Sequence, residues 1–272
     1  METRIRSEAR SYLFVPGNRP ERFAKALLAG ADAVIVDLED AVAPHDKDRA
    51  REAVLRALPE LASVYVRINA ADTCWFDEDV GAFAAHPAVQ GLVVPKAANT
   101  EALAHIDSRS HARLALLPLI ESAAAFTALD AICHAPRVER LLFGTVDFQL
   151  DTGFGGDGEE LSYFRSQMTL ASRLANIGSP VDGVTMALDD AGEIFDAARR
   201  AQRFGFGGKL CIHPKQIAPT HDAFTPTEAD LAWATRVLRA AQGSAGSATV
   251  VDGKLIDVPV IERARMILAR AR

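Results

Sequence analysis

Short apolar runs alternate with longer amphipathic segments eight times along the first 224 residues of the chain. The apolar runs are four to seven residues long and most are rich in Val, Ile, Leu or Phe, which is typical of parallel strands covered on both faces. We predict strands at 12–15, 33–37, 64–68, 91–95, 114–120, 140–143, 181–185 and 209–212. We predict helices at 20–28, 46–58, 75–85, 100–106, 123–133, 159–177, 189–204 and 214–224.

Eight strand–helix units in this order and length predict the α/β class and, within it, a (β/α)8 barrel over residues 1–225. An open, doubly wound sheet is the alternative, and the number of strands does not exclude it. Residues 226–272 are too few for a second domain, and they contain predicted helices at 227–241 and from Pro259 onward. We interpret them as a C-terminal helical extension that could cover the mouth of its own barrel or of a neighbouring subunit.

Charge and composition exclude several classes of function. The 36 acidic residues outnumber the 30 Lys and Arg, giving a net charge of −6, which argues against nucleic acid or an anionic membrane as a partner. The three cysteines are far apart and form no CxxC pair, so we expect a reducing compartment and no disulfide framework or structural zinc. The sequence has no signal-peptide pattern at its start and no apolar run of membrane-spanning length. We therefore predict a cytoplasmic globular protein.

Charged residues follow most of the predicted strands. In (β/α)8 enzymes the active site lies at these carboxyl-terminal strand ends. A cluster of carboxylates without paired His or Cys suits Mg²⁺, with Mn²⁺ as a second option, and is a poor match for zinc. A helix cap or a surface ion pair would explain each residue taken alone, so the prediction of a metal site depends on the whole set. The carboxylates are Asp37, Glu39, Asp40, Glu121 and Asp147.

Three basic residues at the strand ends each allow two interpretations. Arg67 can bind a substrate carboxylate or a developing oxyanion, or it can form a salt bridge with Asp37 or Glu39. Lys96 can form a Schiff base, or it can contact an anion or solvent. His213 can act as an acid or base, or it can cap the helix that begins at the following proline.

A glycine-rich stretch, GFGGDG at 153–158, formally matches the dinucleotide-binding pattern GxGxxG. Asp157, Glu159 and Glu160 would bring three negative charges against a pyrophosphate, and no strand ends in an acid at the required distance downstream. We interpret the stretch as a mobile loop of the barrel.

Eight short segments in order along the chain contain the strand ends and the start of the last helix: LFVPGNRP (13–20), VDLEDAV (36–42), VRIN (66–69), VPKA (94–97), LIES (119–122), FGTVD (143–147), CIHPKQI (211–217) and IDVP (256–259). As a set they resemble the beta subunit of citrate lyase and its stand-alone relatives, in the HpcH/HpaI aldolase group of the phosphoenolpyruvate–pyruvate barrels. The resemblance extends over nearly the whole chain.

The resemblance implies a Mg²⁺-dependent carbon–carbon lyase. Its substrate would be a 3-hydroxy-3-carboxy acyl-CoA thioester of the citramalyl, malyl or citryl type, cleaved to an acetyl thioester and a 2-oxo acid. Glu121 and Asp147 would hold the metal, and Glu121 and Arg67 would contact the substrate. We expect Asp37, Glu39 and Asp40 to support these residues.

The resemblance also implies a thioester-binding region and an oligomer. Phe14 and the residues Arg22, Lys25, Ile212 and His213 would lie near the thioester carrier. Asp257 would act as the catalytic acid or base in the site of a neighbouring subunit, within a homotrimer or hexamer. Some CoA-using relatives have tyrosine where this chain has Phe14, so the acyl specificity is left open.

Three other functions remain compatible with the sequence. The first is a metal-dependent aldolase that acts on free 4-hydroxy-2-oxo acids. The second is a citryl-carrier lyase subunit that needs a partner protein, and the third is a non-catalytic barrel that binds oxo acids. The exposed cations expected at Arg22 and Lys25 argue against the first, because a small substrate needs no cation outside the mouth.

Overall fold

Eight parallel strands form a closed barrel in the computed structural model, which describes residues 9–61, 63–243 and 248–271. Each strand pairs with the next one along the chain, and the first pairs with the last. The predicted (β/α)8 barrel is therefore confirmed, and the open doubly wound alternative is wrong. The strands are β1 Ser11–Pro16, β2 Ala33–Asp37, β3 Val64–Arg67, β4 Val89–Val94, β5 Ala115–Ile120, β6 Leu142–Phe143, β7 Val181–Asp182 and β8 Gly208–Cys211.

The interior of the barrel is filled by inward-facing side chains of the strands. Tyr12 and Tyr65 lie with their ring centroids 5.6 Å apart, and aliphatic residues fill the remaining space. Burying each large aliphatic side chain contributes about 1.5–3 kcal/mol, so this packed interior both closes the barrel and fixes the strand ends. The buried residues of this cluster are Tyr12, Ile35, Tyr65, Val93, Ala115, Leu117, Leu119, Leu142, Val181 and Leu210.

The helices surround the barrel largely where the sequence predicts them. The predicted helix at 123–133 is interrupted at Ala128, whose φ and ψ are −104° and 7°. The helices of the barrel are α1 Phe23–Leu27, α2 Lys47–Ala57, α3 Phe76–Phe83, α4 Glu101–Asp107, α5 Ala123–Thr127, α6 Leu129–Cys133, α7 Thr145–Thr152, α8 Ser162–Leu174, α9 Ala191–Arg203 and α10 Ile217–Phe224. Among the described residues, no helix has the length and apolar character needed to cross a membrane.

Sequence analysis missed one helix, α7, which begins directly after β6. Its apolar residues do not form a single buried stripe, because Phe148 is buried whereas Val146 and Leu150 are exposed. A helix without a one-sided apolar face lacks the periodic pattern that predicts amphipathic helices. The consequence for function is that Asp147 lies in the first turn of a helix rather than at the end of a strand.

The glycine-rich stretch at 153–158 follows α7 and is held at its end by two arginines. The carboxylate of Asp157 pairs with Arg165 and with Arg200. Arg165 is fully buried, and its Nε also donates to Asp182 at 3.0 Å. These contacts connect the loop to α8, α9 and the end of β7.

The chain separates into two compact units, Met1–His221 and Asp222–Arg272. The second unit contains helices α11 Glu228–Gly243 and α12 Val258–Arg270 and a hairpin of β9 Thr249–Val251 and β10 Lys254–Ile256. The hairpin turn at Asp252 and Gly253 has positive φ at both residues, which suits the right-handed twist of the strands. This unit has its own small core of Ala234, Val237, Ile256 and Ala264.

Candidate active site

Arg67 lies at the end of β3, directly opposite Asp37 at the end of β2. Its Nε and Nη2 donate to the two carboxylate oxygens of Asp37 at 2.7 and 2.6 Å, and its Nη1 donates to Asp40 at 3.1 Å. The guanidinium also lies 4.9 Å from the ring centre of Phe14. Burial alone would lower the pKa of Arg67, but the neighbouring carboxylates raise it, so the side chain stays charged. Arg67 therefore forms the predicted salt bridge with Asp37, and its contact with a substrate stays a prediction.

Three carboxyl groups near Arg67 have raised pKa values. Burial and the charge of neighbouring acids raise the pKa of Glu39 to about 7. Burial and the charge of Glu39 raise the pKa of Glu121 to about 8. Burial and the charge of Asp40 also raise the pKa of Asp147. The protein thus gathers several carboxyl groups without enough positive charge to keep all of them ionised at neutral pH.

Glu121 is held by a backbone N–H group and fits against a glycine. The backbone N–H of Lys96 donates to Glu121 Oε1 at 2.6 Å, and Lys96 has a left-handed φ of 48°, which is uncommon for a residue other than glycine. On the other side lies Gly144, where a Cβ atom would come within 2.7 Å of Glu121 Oε2. A glycine at 144 therefore provides the space that the Glu121 carboxylate occupies.

The donor atoms at this mouth fit a hard divalent cation. Glu121 and Asp147 offer carboxylate oxygens, and Glu39 Oε2 is buried without a hydrogen-bond partner among the described residues, although Arg67 Nη1 lies 3.1 Å away. Within the described ranges, no group of three or more His, Cys, Asp or Glu side chains is arranged to hold a metal. An ion here would take its remaining ligands from water and substrate oxygens, as Mg²⁺ commonly does.

Two further buried residues, which sequence analysis missed, hold the loops of the site. Lys47 Nζ donates to the carbonyl oxygens of Leu38 and Glu39 at 2.9 and 2.8 Å. Asp79 accepts hydrogen bonds from both the backbone and the side chain of Asn69, at 2.9 and 2.7 Å. A positively charged lysine in the first turn of a helix interacts unfavourably with the helix dipole. This unfavourable position is the sequence signal that could have indicated a structural role for Lys47 outside its helix.

The residues expected near the thioester carrier follow β1 and β8, which are neighbours in the barrel. Arg22 and Lys25 are exposed, as is Ile212. His213 accepts a hydrogen bond from the backbone of Lys215 through Nδ1 at 3.2 Å and is part of a capping box. The capping interpretation of His213 is the one that the structure shows.

Asp257 lies in the second unit, where it caps helix α12. Its Oδ1 accepts a hydrogen bond of 3.4 Å from the backbone N–H of Val260, and its side chain is exposed. A role of Asp257 in the site of a neighbouring subunit remains a prediction.

A closed (β/α)8 barrel with a buried arginine and several carboxyl groups at the carboxyl ends of its strands has the architecture of a barrel enzyme. The sequence profile of the HpcH/HpaI aldolase/citrate lyase family matches residues 10–214. The chain belongs to this family, whose members are lyases.

Three similar proteins illustrate the match. The citrate lyase subunit beta-like protein of Deinococcus radiodurans is 36% identical, with 96% of each chain covered. The L-malyl-CoA/beta-methylmalyl-CoA lyase of Rhodobacter capsulatus is 31% identical, covering 96% of this chain and 94% of the relative. The crystal structure of protein CitE from Mycobacterium tuberculosis, in complex with magnesium, acetoacetate and coenzyme A, superimposes with a TM-score of 0.87 at 32% identity, covering 98% and 99% of the two chains.

Proposed function

We propose that this protein is a Mg²⁺-dependent lyase that cleaves a 3-hydroxy-3-carboxy acyl-CoA thioester to an acetyl thioester and a 2-oxo acid. The observation that carries the proposal is that the barrel mouth holds Glu121 and Asp147, whose pKa values are raised by burial, near the buried Arg67, which is itself paired with Asp37. Two relatives support it: the CitE structure contains magnesium and coenzyme A, and the R. capsulatus relative is a lyase of malyl-CoA thioesters.

Different residues of this chain would bind the metal and the substrate and transfer the proton. Glu121 and Asp147 would hold Mg²⁺, which, when bound, polarises the substrate oxygens and lowers the pKa of the hydroxyl group. Arg67, held in place by Asp37, would bind the carboxylate of the oxo-acid portion. We expect Phe14, stacked against Arg67, to contact the acyl group and so affect which thioester is accepted.

In cleavage the hydroxyl proton of the substrate would pass to solvent as the carbonyl of the 2-oxo acid forms. The breaking carbon–carbon bond leaves an electron pair on the α-carbon of the acetyl thioester, and this carbon must take up a proton. We assign the proton to the carboxyl group of Asp257, which would reach the site from a neighbouring subunit of a homo-oligomer. In the reverse direction the same group removes the proton. Its exposure in the single chain is consistent with a side chain that acts on another subunit.

The first test of this function is Mg²⁺-dependent release of a 2-oxo acid. Citramalyl-CoA, malyl-CoA and citryl-CoA would be supplied in turn, and pyruvate, glyoxylate or oxaloacetate would be measured through coupled dehydrogenases. We expect release from at least one thioester. Absence of release from all three would contradict the proposal and favour a carrier-protein substrate or a free-acid aldolase.

Replacing Asp257 with asparagine should slow cleavage by about 10²-fold or more, because a general acid would be lost. Asparagine caps helices as well as aspartate does, so the unfolding temperature should stay unchanged. Mg²⁺ and oxo-acid binding should also stay intact, as measured by titration calorimetry. If the variant cleaves at the wild-type rate, Asp257 is only a helix cap.

A mixing experiment tests whether Asp257 acts on a neighbouring subunit. Asp257→Asn and Arg67→Ala chains, each impaired alone and refolded together in equal amounts, should regain activity at roughly a quarter of their sites, because such a site combines one intact residue from each chain. Each variant refolded alone is the control. Failure of the mixture to recover activity would place the whole site within one chain.

A further inference from the structure

The loops at the mouth of the barrel carry different kinds of side chain. The segments after β2 to β6 carry the carboxyl groups, Arg67 and Lys96 described above. The loops after β7 and β8 expose three apolar side chains: Met186 (67% exposed), Leu188 (41%) and Ile212 (39%). We call these three residues the apolar rim. They follow neighbouring strands, so they lie on one side of the mouth.

The two loops of the apolar rim are joined by one buried side chain, Gln216. It is 1% exposed, and its Nε2 donates to the carbonyl oxygens of Thr185 and Ala187 at 2.7 and 2.9 Å. Its Oε1 accepts from the backbone N–H groups of Ile212 and His213 at 2.8 and 3.3 Å. All four hydrogen-bonding positions of the amide are therefore used, two on each loop.

Two other features accompany this connection between the loops. A surface ion pair between Lys215 and Asp189 joins the same two loops outside Gln216. The hydroxyl of Thr185, by contrast, is buried with no hydrogen-bond partner among the described residues. The two loops are thus fixed relative to each other by Gln216 and by this ion pair, and the apolar side chains that they carry are exposed, as in a surface that another molecule covers.

We propose that Gln216 is a positioning residue that holds the apolar rim in place for the pantetheine arm of a CoA thioester, an inference that rests on the proposed function. The arm has gem-dimethyl and amide groups, so it needs apolar contact over much of its length. A small free oxo acid bound near Arg67 would leave the rim uncovered. On the far side of β8, the loop after β1 carries the exposed cations Arg22 and Lys25, which suit the phosphates at the end of the arm.

The structure suggests a substitution that separates the two loops while changing few atoms. In Gln216→Glu, the carboxylate can still accept from Ile212 and His213, but an oxygen replaces the nitrogen that donates to Thr185 and Ala187. Two carbonyl oxygens would then face a negative charge, and the loop that carries Met186 and Leu188 would be displaced.

The test compares binding of the arm with chemistry that does not need it. We expect Gln216→Glu to weaken CoA binding, measured by titration calorimetry, and to raise the KM for the CoA thioester, each by about tenfold. The KM and kcat for an N-acetylcysteamine thioester, which lacks most of the arm, should change by less than about twofold, as should Mg²⁺-dependent oxo-acid binding. A purely structural role would instead weaken the binding of CoA and of the oxo acid, impair turnover of both thioesters, and lower the unfolding temperature.

A second variant keeps the test decisive if Gln216→Glu does not fold. Met186→Ser removes an exposed apolar contact and should weaken CoA binding without affecting stability, whereas Leu174→Ser, at a similarly exposed position on α8, is the matched control and should change nothing. Unchanged CoA affinity in Met186→Ser, with thioester cleavage present in the wild type, would overturn this inference alone. A wild-type protein that neither binds CoA nor cleaves a thioester would overturn the proposed function as well.

Discussion

Replacing Glu121 with glutamine should lower turnover by about 10³-fold while the protein stays folded. Glutamine has nearly the same shape, so it can occupy the space beside Gly144 and keep the hydrogen bond from the backbone of Lys96. It lacks the negative charge that we expect Mg²⁺ to need, and loss of one preorganised electrostatic contact at a reacting group typically costs about 10²–10³ in rate. The companion variant Asp147→Asn should behave in the same way.

The stability of Glu121→Gln separates a metal ligand from a structural residue. Because the buried carboxyl of Glu121 has a pKa of about 8, removing it eliminates an unfavourable ionisation, so the unfolding temperature at pH 8 without divalent ions should rise. Added Mg²⁺ should stabilise the wild type by mass action and should have no effect on the variant. Asp130→Asn, on the exposed surface of α6, is the control. Wild-type turnover in Glu121→Gln would show that Glu121 does not hold the metal.

The barrel and the position of Glu121 could be predicted from sequence because both depend on local patterns. Eight apolar runs alternating with amphipathic segments specify strand and helix periods, and the residue after a buried strand must lie at the mouth. Asp37 and Arg67 follow from the same rule, since consecutive parallel strands are neighbours in the barrel. The eight matching segments then named the family, which the profile over residues 10–214 confirmed.

The supports of the site could not be predicted, because they depend on contacts between residues far apart in sequence. The backbone N–H of Lys96, a residue in the left-handed conformation, donates to Glu121, whereas the sequence pointed to the ammonium group of this lysine. Gly144 matters for the space it leaves beside Glu121, which becomes visible only once two strands are placed side by side. Gln216 lies within a recognised segment, but the loop after β7 that it holds lies about 30 residues earlier.

In the absence of divalent cations, the free energy of unfolding should fall as the pH rises from about 5 to 8. The pKa values of Glu39 and Glu121 are raised to about 7 and about 8, from 4.5 for an ordinary glutamate. Between 4.5 and these values the folded protein binds more protons than the unfolded chain, so stability decreases with rising pH, by about 1.4 kcal/mol per pH unit for one such group. These neighbouring groups titrate together, so the measured slope belongs to the cluster. Asp32 and Asp182 have lowered pKa values, so the stability they contribute is lost only in more acidic solution.

Urea unfolding at pH 5, 6.5 and 8, in EDTA and in excess Mg²⁺, measures this dependence. We expect a falling profile in EDTA, because each carboxyl that ionises meets only the partial compensation of Arg67. Mg²⁺ should flatten the profile, since the ion binds the ionised carboxylates of the folded protein and not the unfolded chain. Glu121→Gln should reduce the slope in EDTA and remove the effect of Mg²⁺, whereas Asp130→Asn should keep both. A flat profile for the wild type in EDTA would mean that the carboxyl cluster is neutralised by the protein itself, and the argument for a cation at the mouth would then fail.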